Sequence, residues 1–305
     1  NDNILKKFVD DDVALTFNDM FAKYSADFGS EGRVEASFIS SGDDIERNKI
    51  SDPGYKWRNF ACGFTLQAFI DQVLLSWTSS YSQNSTEQNY ASAVYGKNSK
   101  STFGTLCLNT KIEYKFENNS LLTGGFDMDM FSTKNSFVNS YGYMRKDGEN
   151  IPDVSLFLNY NWKPSNEVYW DFGFRQSNVY MDGQTEHFLE PRIVLQINYM
   201  KNLSLNISYA KMHQFLISNV DEDDFIPLYE GWLALDKPLS SEVSHQLVFG
   251  FSSFMMKYVK YSVQYYHKII NNYIGYNMNR SSKEESDFLK GDGASDGIEF
   301  FFKYS

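Results

Sequence analysis

The chain has 305 residues with a net charge of −11, two cysteines and six prolines. The negative charge excludes nucleic acid as a partner, because its phosphates would be repelled. No apolar run approaches the roughly 18 residues that a membrane-spanning helix needs, which excludes a helical membrane protein. A mean hydropathy of −0.45 does not exclude a transmembrane barrel, whose strands alternate apolar residues with polar residues facing the lumen.

A period of two in hydrophobicity predicts about thirteen strands, which together make residues 1–305 one transmembrane β-barrel domain. Residues 1–12 are polar and are expected to form a loop. The predicted strands are Leu15–Phe28, Val34–Ser40, Tyr55–Phe69, Val73–Tyr81, Leu106–Phe116, Leu121–Phe131, Val154–Trp162, Val168–Phe174, Pro191–Tyr199, Leu203–Tyr209, Val243–Phe254, Tyr258–Ile270 and Gly297–Tyr304.

The hairpin over Phe188–Met212 shows the pattern most clearly. Ile193, Leu195 and Ile197 alternate with polar residues, and the alternation restarts after a turn at Lys201-Asn202. Each arm is roughly ten residues, the length that a tilted strand needs to cross a bilayer. Soluble strands average about five or six residues, so the hairpin favours a membrane barrel over a soluble β-sandwich.

The connections between the predicted strands alternate between short turns and long loops, as they do in bacterial outer-membrane barrels. Long loops are expected over residues 41–54, from about 132 to 153 and over roughly 218–242, among others. Aromatic residues are placed where short turns begin, at Phe69, Phe116, Trp162 and Tyr199. An aromatic content of 17% fits such interfacial girdles. The sequence therefore predicts an all-β, antiparallel, up-and-down transmembrane barrel in the bacterial outer membrane.

Several segments resemble the barrel of TonB-dependent outer-membrane receptors. They are LEPR followed by NLSLNISYAKM, then WLALDKPLSSEVSHQLVFGF, KGDGASDGIEFFFKY and FNDMFAKYSADFGSEGRVEASFISSGDD. The resemblance covers nearly the whole chain at the level of barrel pattern. It implies a 22-stranded barrel, an N-terminal plug and a TonB box that couples import to the energy of the inner membrane.

The sequence departs from that family pattern in three respects. No plug-sized segment precedes the first strand, no TonB box is recognisable, and about thirteen strands fall short of 22. The chain is therefore expected to be an internal part of a longer receptor. A strand hidden in residues 1–12 would instead give a complete fourteen-stranded barrel, and this alternative stays open.

Nothing in the sequence supports catalysis, a cofactor or a metal site. The four histidines lack zinc-ligand spacing, and the acidic cluster Asp221–Asp224 favours a solvated loop over a calcium site. Cys62 and Cys107 fall on opposite faces of their strands, so they are not expected to pair. Candidate lumen-facing residues are Asp127, Asp129, Asp171, Arg175, Glu190 and Arg192. They would either contact a plug or a substrate, or only form cross-strand ion pairs.

The leading hypothesis is a receptor that imports a scarce nutrient through a plugged barrel. Its expected partners are outer-membrane lipid, a plug and TonB outside this sequence, and a surface lipoprotein or other outer-membrane subunits. Two alternatives are a structural barrel subunit of a larger outer-membrane complex and a plugless, porin-like channel. The transported substrate cannot be read from the sequence, since loop shapes determine it.

Overall fold

A computed structural model describes residues 13–47, 51–92, 94, 96–138, 141–142, 144–181, 183–200, 202–218, 229–235, 241–255, 259–277, 279–282 and 284–304. Fifteen strands account for most of these residues, and none of the described residues forms a helix long and apolar enough to span a membrane. The strands are β1 Val13–Asp27, β2 Gly32–Arg47, β3 Gly54–Ile70, β4 Val73–Asn89, β5 Ser99–Lys115, β6 Leu121–Val138, β7 Met144–Trp162, β8 Val168–Met181, β9 Gln184–Met200, β10 Leu203–Gln214, β11 Leu216–Ser218, β12 Trp232–Ala234, β13 Glu242–Met255, β14 Val259–Tyr276 and β15 Phe288–Tyr304.

Thirteen strands form one antiparallel sheet in which each strand pairs with its neighbours in the chain, and β11 and β12 form a separate two-stranded hairpin. The order β1 to β10 followed by β13, β14 and β15 is an up-and-down meander, so the predicted architecture and its thirteen strands are confirmed. Within the described residues, β1 pairs only with β2 and β15 only with β14. The sheet described here is therefore open along both of these strands.

The strands are longer than the sequence predicted, mainly at their ends away from the short turns. β7 begins at Met144 rather than at Val154, and β2 continues to Arg47 through about half of the predicted acidic loop. Beyond the membrane the outer face of a strand meets water and the inner face carries polar as well as apolar residues, so the strict alternation of apolar and polar residues is lost although backbone pairing continues. The prediction therefore marked the membrane-crossing part of each strand and took its extension for a loop.

The register places apolar residues in rows on one face, which we call the outer face. Five successive rows across β5, β6 and β7 consist of apolar residues, glycine and one threonine, and five rows span about the length of a membrane-crossing strand. The rows are Leu106–Met130–Pro152, Leu108–Met128–Val154, Thr110–Phe126–Leu156, Ile112–Gly124–Leu158 and Tyr114–Leu122–Tyr160. Leu156 is 58% exposed and Leu158 53% exposed on this face, which suits contact with lipid rather than water.

Aromatic side chains lie at the turn end of the band. Phe116 contacts Tyr114 and Tyr160, with ring centroids 4.8 Å and 6.1 Å apart. Trp162 shares the outer face with Tyr160 by strand alternation. Phe69 is different: it pairs with Leu74 at a position that alternates onto the inner face, because the outer-face residues of β3 are the even-numbered ones. Phe69 therefore lies next to its short turn like the other three aromatic residues, but on the inner face rather than on the lipid-facing one.

The other face is concave at the end of the sheet away from the short turns. Phe137 on β6 and Tyr276 on β14 are not on neighbouring strands, yet their rings lie 5.1 Å apart. The β11–β12 hairpin packs between these walls and contacts β5, β6 and β14. Residues 218–242 were predicted to be a long loop, and the described part of that connection contains the short strand β12, which pairs with β11 just before it. We call the concave side the inner face.

Candidate functional site

The inner face carries polar side chains at the level of the apolar outer band. A single register row joins Asn109 on β5, Asp127 on β6, Ser155 on β7 and Ser177 on β8. All four side chains point to the inner face by strand alternation, and Ser155 has no exposed surface. The row therefore forms a polar wall opposite the lipid-facing surface of the same strands.

Arg175 on β8 is the centre of this wall. Its guanidinium donates to Asp127 Oδ2 at 2.7 Å, to Ser155 Oγ at 2.9 Å and to Ser177 Oγ at 3.2 Å. Asp153 lies 3.8 Å away and Glu190 lies 4.0 Å away, at the limit of an ion pair. One planar, permanently charged group thus links side chains of β6, β7, β8 and β9.

The hydroxyl of Ser155 extends the network around Arg175. It donates to Asp153 Oδ1 at 3.0 Å and lies 2.8 Å from the hydroxyl of Ser177, while Asn109 donates to the second oxygen of Asp127. Asp153 is 6% exposed, and a carboxylate that is so buried needs such partners to stay charged. These hydrogen bonds make the wall a connected network rather than a set of isolated ion pairs.

Glu190 connects the wall to β10. Its Oε1 accepts a hydrogen bond of 2.9 Å from the backbone N–H of His213 and lies 3.3 Å from His213 Nδ1. The ring of His213 stacks on Phe188 with centroids 4.5 Å apart. Nothing in the neighbourhood of His213 along the chain indicates Glu190 as its partner, so the sequence alone could not predict this contact.

The six predicted lumen-facing residues take different positions. Asp127, Arg175, Glu190 and Arg192 line one cleft of about 480 Å³, and Arg192 donates to Asn159 Oδ1 at 3.0 Å. The other two predicted residues lie outside the lining of this cleft.

Asp129 and Asp171 are those two residues. Asp129 lies directly opposite Asp153 on β7, an unfavourable pairing of like charges. Asp171 has one buried carboxylate oxygen that makes no hydrogen bond among the described residues. Sequence alternation indicated the face of these residues, but it could not indicate which of them would share partners.

Beyond the membrane band, the inner face is closed over by packed side chains around the β11–β12 hairpin. Leu233 of β12 is fully buried, and Asn135 on β6 donates to the carbonyl of Trp232 at 2.7 Å. Two buried apolar clusters surround the hairpin. They contain Phe137, Ile217, Leu233, Leu235, Ile274, Tyr276 and Phe288, and Ile151, Val179, Met181, Phe188 and Ala234.

A second ionic network holds the same end of the sheet together. Arg145 on β7 donates to Asp287, next to β15, at 2.5 Å and to Asp147 at 2.9 Å, and Arg280 also pairs with Asp287. Burial, followed by the charge of Asp287, raises the pKa of Tyr276 to about 12, so this phenol stays neutral at physiological pH. The network and the apolar clusters together join β6 and β7 to β14 and β15.

The described residues contain no group of three or more His, Cys, Asp or Glu side chains that could hold a metal ion. Both cysteines are free thiols. The cluster Asp221–Asp224, considered as a calcium loop, lies outside the described residues. What the inner wall offers is ionic and hydrogen-bonding recognition, through three carboxylates and one guanidinium that meet at Arg175.

Comparisons with known proteins concern the fold. No protein-family model and no curated protein matches the sequence. Among solved structures, the chain is similar to the siderophore receptor PirA from Pseudomonas aeruginosa, with a TM-score of 0.71 and 10% identity over 94% of this chain and 53% of that one.

It is also similar to a mutant of the ferric enterobactin receptor PfeA from Pseudomonas aeruginosa in complex with enterobactin, with a TM-score of 0.71 and 12% identity over 94% and 49% of the two chains. The RagAB peptide transporter matches with a TM-score of 0.67 and 11% identity over 95% and 44%. The chain spans about half the length of these structures. Its fold is that of the β-barrel of TonB-dependent receptors.

Proposed function

We propose that this chain is barrel wall of a TonB-dependent receptor in the bacterial outer membrane, and that the receptor imports a scarce nutrient through a plugged barrel. The observation that carries the proposal is the division of the sheet into two faces. Five apolar rows on the outer face lie on the same strands as the Arg175 network on the inner face. A lipid-facing band backed by a polar, ionic inner wall is the arrangement of a transmembrane transport barrel.

The inner wall also suits contact with a plug. Asp127, Asp153 and Glu190 surround the guanidinium of Arg175, and Arg192 and Lys211 line the same cleft, so the wall presents charges of both signs. Charged and polar side chains of a plug, or polar groups of the cargo, would find partners of either sign there. Asp127, Asp129, Asp171, Arg175, Glu190 and Arg192 are proposed as the wall residues that such groups meet.

The packed hairpin at the other end of the sheet supports a receptor rather than an open pore. The β11–β12 hairpin and its clusters occupy space on the inner face above the Arg175 network. A wide aqueous channel would leave this space free. The neighbours named above take different cargoes, siderophores in two cases and peptides in the third, so their names do not select a cargo for this chain.

The experiment that tests the proposal compares uptake with and without energy coupling. Bacteria that need the full protein for growth on a limiting nutrient are grown with TonB present and with TonB removed. Growth that depends on both the protein and TonB is the expected result. Growth that continues unchanged without TonB contradicts the proposal and favours a porin-like channel.

A conductance measurement separates the remaining alternatives. The purified full protein is reconstituted in a planar lipid bilayer, and a plugged receptor is expected to give no steady open channel. Steady conductance would support a passive pore. A protein that gives neither conductance nor TonB-dependent uptake, but co-purifies with other outer-membrane subunits, would support the structural role instead.

A further inference from the structure

Three lysines lie close together on the outer face of three consecutive strands. They are Lys100 on β5, Lys134 on β6 and Lys146 on β7, and we call them the lysine panel. Lys100 and Lys146 both lie opposite Ser136, while Lys134 lies opposite Thr102 and Gly148. Lys134 is therefore the diagonal neighbour of both other lysines, at a distance of about 7–8 Å. All three side chains are exposed.

The outer faces of these three strands contain no carboxylate among the described residues. Their acidic residues alternate onto the inner face, where Asp127, Asp129 and Asp153 lie. Lys100 pairs with Glu87 of β4 at 2.6 Å, and Lys134 and Lys146 make no ion pair with a described residue. In a chain whose net charge is −11, the panel is thus a local excess of positive charge.

The panel lies just beyond the lipid-facing band, at the end of the strands away from the short turns, which is the extracellular end in bacterial outer-membrane barrels. One polar row, Gly104–Ser132–Asn150, separates Lys134 from the first apolar row, which contains Met130. Four residues of a strand tilted by about 45° rise roughly 9 Å along the membrane normal. The ammonium groups therefore lie at the depth of lipid headgroups, and flexible lysine side chains can reach toward them.

Like charges at neighbouring sheet positions repel each other unless an anion lies between them. We propose that the lysine panel binds the phosphate groups of a phosphorylated lipid headgroup in the outer leaflet. The ammonium groups of Lys134 and Lys146 donate to the phosphate oxygens, and Lys100 adds attraction from the next strand. The inference rests on the proposed function, which places the outer face in contact with that membrane.

The chain offers a matched control on the same face. Lys56 on β3 lies in the same register row as Lys100, but it is directly opposite Asp44 on one side and Glu87 on the other. Asp44 pairs with Arg58 and Glu87 pairs with Lys100, so carboxylates and cations alternate around Lys56 and the excess of positive charge is smaller there than at the panel. Lys56→Gln removes one outer-face lysine without removing the panel.

The experiment measures lipid binding to the purified full protein in detergent by native mass spectrometry. The two probes are lipid A with its phosphates and the same lipid after enzymatic removal of the phosphates. Wild-type protein is expected to retain the phosphorylated probe preferentially. The double variant Lys134→Gln/Lys146→Gln is expected to bind that probe roughly 10- to 30-fold more weakly, whereas Lys56→Gln changes its affinity by less than about fivefold.

Three outcomes would overturn the inference: equal binding of both probes by the wild type, wild-type affinity in the double variant, or the same loss in Lys56→Gln. Heat-modifiable electrophoretic mobility shows whether each variant is folded. Cell fractionation of the wild type tests the proposed location separately, since a protein absent from the outer membrane would contradict the proposed function whatever the binding in detergent shows.

Discussion

Arg175 on β8 donates a hydrogen bond of 2.7 Å to Asp127 on β6, although β7 lies between these two strands. Neighbouring strands are about 4.8 Å apart, so the contact crosses two strand spacings on the inner face. It is possible because the residue of β7 in this row is Ser155, whose short side chain lies beneath the guanidinium and accepts a hydrogen bond from it. A larger residue at position 155 would separate the two charged groups.

Replacing Arg175 by glutamine should destabilise the barrel. Asp127 and Asp153 would stay on the inner face without their cation, and we expect the free energy of unfolding to fall by about 1–3 kcal/mol. The partial exposure of Arg175 keeps the loss below that of a fully buried pair. Urea unfolding followed by tryptophan fluorescence measures the change. Arg192→Gln is the control, and an equal loss in both variants would contradict a central role for Arg175.

The outer face can be tested on β9, where Leu195 is directly opposite Trp170 and Gln196 is opposite Tyr169. An arginine placed in hydrocarbon costs about 2–4 kcal/mol at the membrane midplane and little near the interfaces. Leu195→Arg should therefore lower stability or outer-membrane yield clearly more than Gln196→Arg.

Single arginine substitutions at positions 193, 195, 197 and 199 test whether this face of β9 contacts lipid or a dry protein core. The stability or the outer-membrane yield of each variant is measured. We expect the largest loss in the middle of this series and the smallest at Tyr199, beside the turn. Equal losses at all four positions, or a worse result for Gln196→Arg, would contradict the assignment of the two faces.

Two adjacent glycines on β6 should respond in opposite ways to alanine. A methyl group at Gly125 would meet the ring of Phe157 and lie 2.6 Å from the backbone oxygen of Thr110, whereas at Gly124 its nearest neighbour would be Leu158 Cδ1 at 3.6 Å. We expect Gly125→Ala to destabilise the barrel by about 1–3 kcal/mol through overpacking. Gly124→Ala should be neutral or stabilise by up to about 1 kcal/mol. The midpoint of thermal unfolding of both variants tests this prediction. A larger loss of stability in Gly124→Ala than in Gly125→Ala would contradict the strand register around β6.

The β11–β12 hairpin should loosen when Asn135 is replaced by alanine. Asn135 is 3% exposed, donates to the carbonyl of Trp232 and accepts a hydrogen bond of 2.6 Å from Ser101. Removing both bonds should cost about 1–3 kcal/mol locally. Hydrogen–deuterium exchange is expected to rise in residues 229–235. Ser136→Ala, on the opposite face of β6, is the control, and unchanged exchange in Asn135→Ala would contradict the anchoring role.

The sequence allowed the membrane-crossing part of the fold to be predicted, because a lipid-facing band imposes strict alternation on residues such as Ile193, Leu195 and Ile197. It did not allow the strand extensions to be predicted, since the outer face of residues 144–150 meets water while their inner face carries the ionic residues Arg145 and Asp147, so both faces are polar. The β11–β12 hairpin is only three residues long on each side, too short for periodicity to be seen.

The candidate wall residues likewise show what the sequence could predict and what it could not. Alternation was enough to place Asp127 and Arg175 on one face, because it is a property of each strand by itself. Their meeting depends on register across three strands, and so does the part played by Ser155, whose type gives no signal in the sequence. The approach of Glu190 to His213 likewise depends on how β9 pairs with β10.

The contact between Phe137 and Tyr276 joins β6 and β14 across the concave face, although several strands lie between them in the sheet. This arc of strands cannot flatten without breaking the contact, so side-chain packing as well as backbone twist maintains its curvature. On one side of the arc, β15 is also tied across the concave face, because Arg145 on β7 pairs with Asp287 and lies over the ring of Phe288. On the other side, β1 to β4 have no comparable tie among the described contacts. In the proposed barrel, a change in the position of β1 to β4 can therefore accommodate closure, while the strands from β6 to β15 keep their curvature.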